Sequence, residues 1–212
     1  MKKLSKKAKT KKVKKVKFEK LTPPQKRVAI ARDVLEQIRM GRYISSTGAY
    51  VSGLLMKNGQ ERYHVSDKGI KGNFGKIKKC EVCAMGACLM SITKFENKLT
   101  FGNIGSSMEQ LKNDKTKELF ASIFSPEQLL LIERAFEGNL GGTTVGANIF
   151  GLREGDFFNQ IEKCHDFYKK FNKSPKDSAT SKEINDLRKL NEEKRLIAIM
   201  RNLIRNKGMF IP

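Results

Sequence analysis

Apolar residues recur at helical spacing through most of the chain. Val28, Ala31, Leu35 and Ile38 repeat at three- and four-residue intervals, which stacks them on one helix face. Thr22-Pro-Pro-Gln25 precedes them as a capping box with Pro23 at the first helical position, and Gly41 supplies the stop. Ser125-Pro-Glu-Gln128 is a second such box, followed by Leu129, Ile132 and Phe136 and closed by Gly138. Phe157, Ile161, Cys164, Tyr168 and Phe171 continue the period, and so do Met108, Leu111, Leu119, Phe120 and Ile123 in a helix expected from Ser106 to about Phe124. Thr180-x-x-Glu183 opens a long final helix carrying Ile184, Leu187, Leu190, Ile197, Met200 and Ile204.

Two segments depart from this period. Cys80 to Thr93 is small and apolar without a polar face, which predicts a buried helix. Tyr43-Ile44 and Ala49-Tyr50-Val51, separated by Ser-Ser-Thr-Gly, read as a short β-hairpin. Residues 57–79 are polar, basic and punctuated by Gly, which predicts a surface loop. The fold class that follows is mainly α: a bundle of about six helices with one short β-hairpin. Residues 21–212 form a single domain on this reading. Gly138–Gly155, with six Gly in eighteen residues, is the long connection between two expected helices.

Residues 1–20 are of another kind. They hold 11 Lys and one Glu, with isolated Leu, Val and Ala and one aromatic, Phe18. Such a run buries too little apolar surface to offset its ordering entropy, so the expectation is a disordered Lys-rich arm. The formal net charge of +21 is polarised accordingly: +10 in residues 1–20, +8 in 21–79, −3 in 80–160 and +6 in 161–212. With 39% apolar residues the remainder has material for a core, so wholesale disorder is excluded.

That polarity points to a polyanion. Each Lys that neutralises a phosphate releases condensed counterion, and Lys lacks the forked geometry with which Arg reads base edges. The expected function is therefore non-enzymatic binding of DNA or RNA through the phosphate backbone, with little sequence preference. The expected contacts are Lys11, Lys12, Lys14, Lys15 and Lys17 in the arm; Lys26, Arg27, Arg32, Arg39 and Arg42 on and after the first helix; Lys76, Lys78 and Lys79 in the loop; and Arg188, Lys189, Arg195, Arg201 and Arg205 on the last helix, beside Lys194 and Lys207. The alternative is an assembly component or inhibitor whose basic surface meets an acidic protein.

Catalytic readings find little to stand on. The Gly-rich stretch contains neither a GxxxxGK[ST] loop nor a GxGxxG fingerprint, and no calcium loop or HExxH helix occurs. His64 and His165 are the two histidines, and His165 adjoins Cys164, from which a helix would turn it away. Cys80-x2-Cys83-x4-Cys88 resembles a zinc pattern in part. On one continuous helix, however, Cys80 and Cys88 stand about 12 Å apart along the axis, whereas thiolates on one zinc ion lie within roughly 4 Å. Cys80 and Cys83 remain as zinc candidates, and close packing of small residues is the preferred reading; no cofactor is expected. No run approaches the roughly 18 consecutive apolar residues of a membrane span, so an intracellular, soluble protein with no membrane partner is expected.

Overall fold

A computed structural model describes residues 17–47, 51–59, 61–62, 77–96, 114–137, 186–187 and 189–211. Among them are five α-helices, α1 (Pro23–Arg39), α2 (Ala84–Glu96), α3 (Asp114–Ile123), α4 (Pro126–Glu137) and α5 (Glu192–Arg205). Four strands, β1 (Tyr43–Ser45), β2 (Val51–Met56), β3 (Glu61–Arg62) and β4 (Ile77–Val82), form one small sheet. The described part is thus mainly helical, as the apolar period requires. The expected helix at Phe157–Phe171 and the Gly138–Gly155 connection lie outside the described residues.

α2 is the hub. All ten residues from Ala84 to Thr93 are buried, because a helix without a polar face is stable only when enclosed on every side. It is enclosed by α1, α4, β4 and the turn that precedes α1. Small side chains at Ala84, Gly86, Ala87 and Cys88 let these neighbours approach closely. α1 faces the hub with Ile30, Ala31, Val34 and Ile38, and α5 completes the layer with Leu196, Ile199, Met200 and Leu203.

The sheet corrects the expected hairpin. Its order is β1-β4-β2-β3, so β4 lies between the two segments that were to pair. β1 runs parallel to β4, with Tyr43 opposite Cys80 and Ser45 opposite Val82, while β2 pairs antiparallel with β4 and β3. β4 takes the centre because Ile77, Cys80 and Val82 are all buried. The buried helix expected from Cys80 also starts late: Cys80 to Val82 is strand, and the helix opens at Ala84 with the Cys83 sulfur accepting from the Gly86 N–H at 3.4 Å.

The helix ends follow local rules in part. Thr22 N–H donates to Gln25 Oε1 at 3.0 Å and Gly41 sits at φ 64. Gln128 N–H donates to Ser125 Oγ at 3.4 Å. The long final helix is shorter than expected: it opens at Glu192, where Asn191 accepts the Lys194 N–H at 2.9 Å, an N-cap that satisfies a donor the helix itself cannot. Thr180–Glu183 lies outside the described residues.

The segment after α5 folds back onto the body. Phe210 is fully buried, and its N–H donates to Gln128 Oε1 at 2.6 Å while its carbonyl accepts from Gln128 Nε2 at 3.2 Å. Asn202 makes the same two-way pairing with the backbone of Ile211. Two side-chain amides thus act as strand neighbours for a short extended segment.

Candidate nucleic-acid interface

The outward faces of α1 and α5 are fixed by what each helix buries. On α1, Arg32 and Arg39 stand seven residues apart, opposite the buried stripe, and both are exposed. Arg39 binds Glu36 through two hydrogen bonds of 2.9 and 2.6 Å. That pairing lowers the Glu36 carboxyl and raises the Arg39 guanidinium from their ordinary values, so Arg32 is the cation of this stripe without an ion-pair partner among the described residues. Arg42, beyond the helix, reaches Gln37 Oε1 at 3.5 Å.

On α5, Lys194, Arg201 and Arg205 fall at i, i+7 and i+11 and are all exposed. They point directly away from Leu196, Ile199, Met200 and Leu203, and the stripe covers about 16 Å of helix. Among the described residues none of the three has an ion-pair partner. Lys189, before the helix, is bonded to Asp186 at 2.8 Å. α5 packs directly against α1, so two neighbouring helices each present cations outward.

A third group lies on the sheet. The β2–β4 register shifts between Leu55, opposite Lys79, and Met56, opposite Ile77. Lys78 is the extra residue of this bulge, and bulges re-aim side chains. Lys78 and Lys79 are consequently both exposed, where strict alternation would bury one. Lys17 is exposed and Lys26 half-buried, its Nζ lying 5.4 Å from the centroid of the Phe18 ring. Lys11, Lys12, Lys14, Lys15, Lys76 and Arg188 lie outside the described residues.

Two of the expected contacts face inward instead. Arg27 donates through Nε to the Gly208 carbonyl at 2.5 Å and through Nη1 to the Ile123 carbonyl, which joins α1 to the end of α3 and to the final segment. Burial lowers its pKa from the ordinary value. Arg195 donates to the carbonyls of Phe136, Leu187 at 3.2 Å and Leu190 at 2.9 Å. Both guanidiniums bind carbonyls at helix ends and turns. Their chemistry is structural, and the outward cations of α1 and α5 are the others.

The cysteines are also structural in arrangement. Cys80, Cys83 and Cys88 are free and buried, on a strand, at a helix cap and inside the hub respectively. Burial pushes the Cys88 thiol up to about 12 and raises Cys80 and Cys83 further, because a thiolate loses its hydration there. Among the described residues no group of three or more His, Cys, Asp or Glu side chains is placed to hold a metal ion. Cys164 and His165 lie outside them.

Sequence reasoning missed Phe18 and the Gln128 and Asn202 clamps. The solitary aromatic at the end of a lysine run was the available signal for the first. The clamps had none, since each amide serves a backbone far away in sequence. Comparison of the chain with family models, with curated proteins and with solved structures finds no match in any of the three. No helix among the described residues is long and apolar enough to cross a membrane.

Proposed function

We propose that this chain is a non-enzymatic nucleic-acid-binding protein that grips the phosphate backbone with little choice of sequence. The observation that carries the reading is the α5 stripe of Lys194, Arg201 and Arg205, exposed and without ion-pair partners among the described residues. Arg195 on the same helix is consumed by backbone carbonyls, so the outward cations are not needed to hold the fold together. Arg32 on the adjoining helix and the Lys78–Lys79 bulge add to the positive surface, and the 11 Lys of residues 1–20 extend it. Phosphate contacts of this kind position a protein on a polyanion and carry no sequence information directly.

Fluorescence anisotropy with a labelled mixed-sequence duplex across a salt series tests the reading. Log affinity should fall linearly with log salt, and each phosphate contact removed should reduce the slope by about one. Arg201→Gln with Arg205→Gln should therefore flatten it by about two. Absence of salt-dependent binding to any duplex or single strand overturns the reading, and a nuclease-resistant complex on size exclusion would redirect it to an acidic protein.

A further inference from the structure

The helices α1 and α5 lie side by side and run in opposite directions. The end of α5 meets the start of α1, where Gly208 packs against the Pro24 carbonyl and accepts from Arg27 Nε. Past the other end of α1, Thr47 Oγ1 donates to Oε1 of Glu192, the first residue of α5, at 2.9 Å. Counted back from Gly208 and forward from Pro24 at about 1.5 Å per residue, seven steps bring Arg201 level with residue 31, and as many again bring Lys194 level with residue 38. Arg32 and Arg39 therefore stand beside Arg201 and Lys194, to about one residue.

These cations also face the same way. With about 100° per residue and Arg32 taken as the outward direction on α1, Pro24, Val28, Ala31 and Leu35 fall on one flank. That flank lies against α5, since Pro24 touches Gly208, while Asp33 on the other flank binds Lys94 of α2. With Arg201 outward on α5, Arg195 and Asn202 fall on the flank that holds the end of α4 and the final segment, which leaves Ile197, Met200 and Ile204 toward α1. Both helices are right-handed and they are antiparallel, so these two flanks meet only when Arg32 and Arg201 point to the same side of the pair. Val28, Leu35, Ile197 and Ile204 are half-buried and form a seam between two rows of exposed cations, Arg32 and Arg39 on one side and Lys194, Arg201 and Arg205 on the other. Glu36 offsets Arg39, and Glu193 is the exposed acid at the N-terminal end of α5.

Packed helices stand about 8–10 Å apart, which sets the spacing of the two rows. A single strand carries one file of phosphates and fills one row. The minor groove of B-form DNA has a file on each edge with about 6 Å of open space between them, roughly 12 Å from phosphorus to phosphorus, and a side chain leaning outward from each row covers that span. The B-form major groove, about 12 Å open, and the wide minor groove of A-form RNA are both too broad for rows this close. We propose that the α1–α5 face straddles the minor groove of a DNA duplex, with Arg32 on the phosphates of one strand and Arg201 and Arg205 on those of the other. The apolar seam then lies over the sugar edges between them. This rests on the nucleic-acid reading above and narrows the polyanion to duplex DNA.

Anisotropy titrations of the full chain across a salt series test it, with three labelled probes of one mixed sequence: a DNA duplex, its single strand and the matching RNA duplex. The DNA duplex should bind about fivefold more tightly than either other probe at 0.15 M salt, the worth of one further phosphate contact. Arg32→Gln removes the contact to the second strand, so the log–log slope on duplex DNA should flatten by about 0.9. On the single strand, which follows the α5 row, the same substitution should be silent. Arg201→Gln should flatten both slopes, by about 0.9 on the duplex and about 0.7 on the single strand. Arg32→Lys keeps the charge and should keep the duplex slope, and urea midpoints of all three variants should match the parent because both positions are exposed. An Arg32→Gln variant that leaves the duplex slope unchanged, or flattens that of the single strand as much, overturns the assignment. Equal affinity for the RNA duplex does the same, and in each case salt-dependent binding through α5 still stands. If no probe shows salt-dependent binding, the parent reading falls and this one with it.

Discussion

Replacing Arg195 with Met keeps the aliphatic stem and removes the donors that hold three carbonyls. One of these, Phe136, lies in the last turn of α4, and the other two, Leu187 and Leu190, lie in the segment entering α5. A hydrogen bond from a charged donor contributes about 1.5–3 kcal/mol where buried. The Arg195 bonds are part-buried, water replaces some of what is lost, and the three share one side chain, so the simple sum overstates the cost. Arg195→Met should destabilise the protein by about 2–4 kcal/mol, which for a chain of this size lowers Tm by roughly 5–12 °C. Arg195→Lys keeps the charge but loses the planar fork, and should recover less than half of that. Arg201→Met on the same helix is the control: an exposed position without such partners should change stability by no more than about 0.5 kcal/mol. Urea denaturation followed by circular dichroism gives all three numbers, with an unchanged m-value showing that the same transition is compared. If Arg195→Met lies within 0.5 kcal/mol of the parent, or Arg201→Met costs as much, the division of these arginines into fold and surface is wrong.

Gly208 adopts φ +93, and a Cβ there would lie 2.3 Å from the Pro24 carbonyl oxygen. Gly208→Ala should therefore lower stability by about 1–3 kcal/mol and expose Phe210, read as a lowered urea midpoint; a neutral result would show that the final segment is not seated against α1. Cys80, Cys83 and Cys88 should resist a thiol reagent in the native protein and react on unfolding, and rapid native reaction of any of them, mapped by mass spectrometry, would contradict their burial. Their raised pKa values also set an alkaline limit. Above the unfolded thiol value of about 8.5, the unfolded chain loses protons that the folded chain keeps, so stability falls as pH rises. Each thiol adds a slope of up to about 1.4 kcal/mol per pH unit, ending for Cys88 near 12; a stability that is flat between pH 8 and 10 would refute this.

Local chemistry was readable in the sequence and distant pairing was not. Thr22 to Gly41 carried its own start, period and stop, and the helix formed accordingly; Ser125 and Gln128 marked the start of α4 in the same way. Pairing of Tyr43 with Cys80 joins residues far apart, and the hairpin expectation compared only near neighbours. The bulge at Lys78 also spoiled the alternation that would have marked β4 as a strand, leaving Cys80 to be read with the helix that follows. Asn191 before Glu192 and Glu193 is an N-terminal helix signal in its own right, but the apolar period of Leu187 and Leu190 ran through it. Charge is visible in a sequence, whereas the carbonyls that claim Arg27 and Arg195 are not, because their positions depend on the completed fold.

The seat of Gly208 against Pro24 has a practical side. Lys26 meets Phe18, while Pro24 and Arg27 meet Gly208, so the entering and the departing segments of the described chain both rest on the first turn and a half of α1. A substitution in that turn therefore loosens both ends of the described body at once.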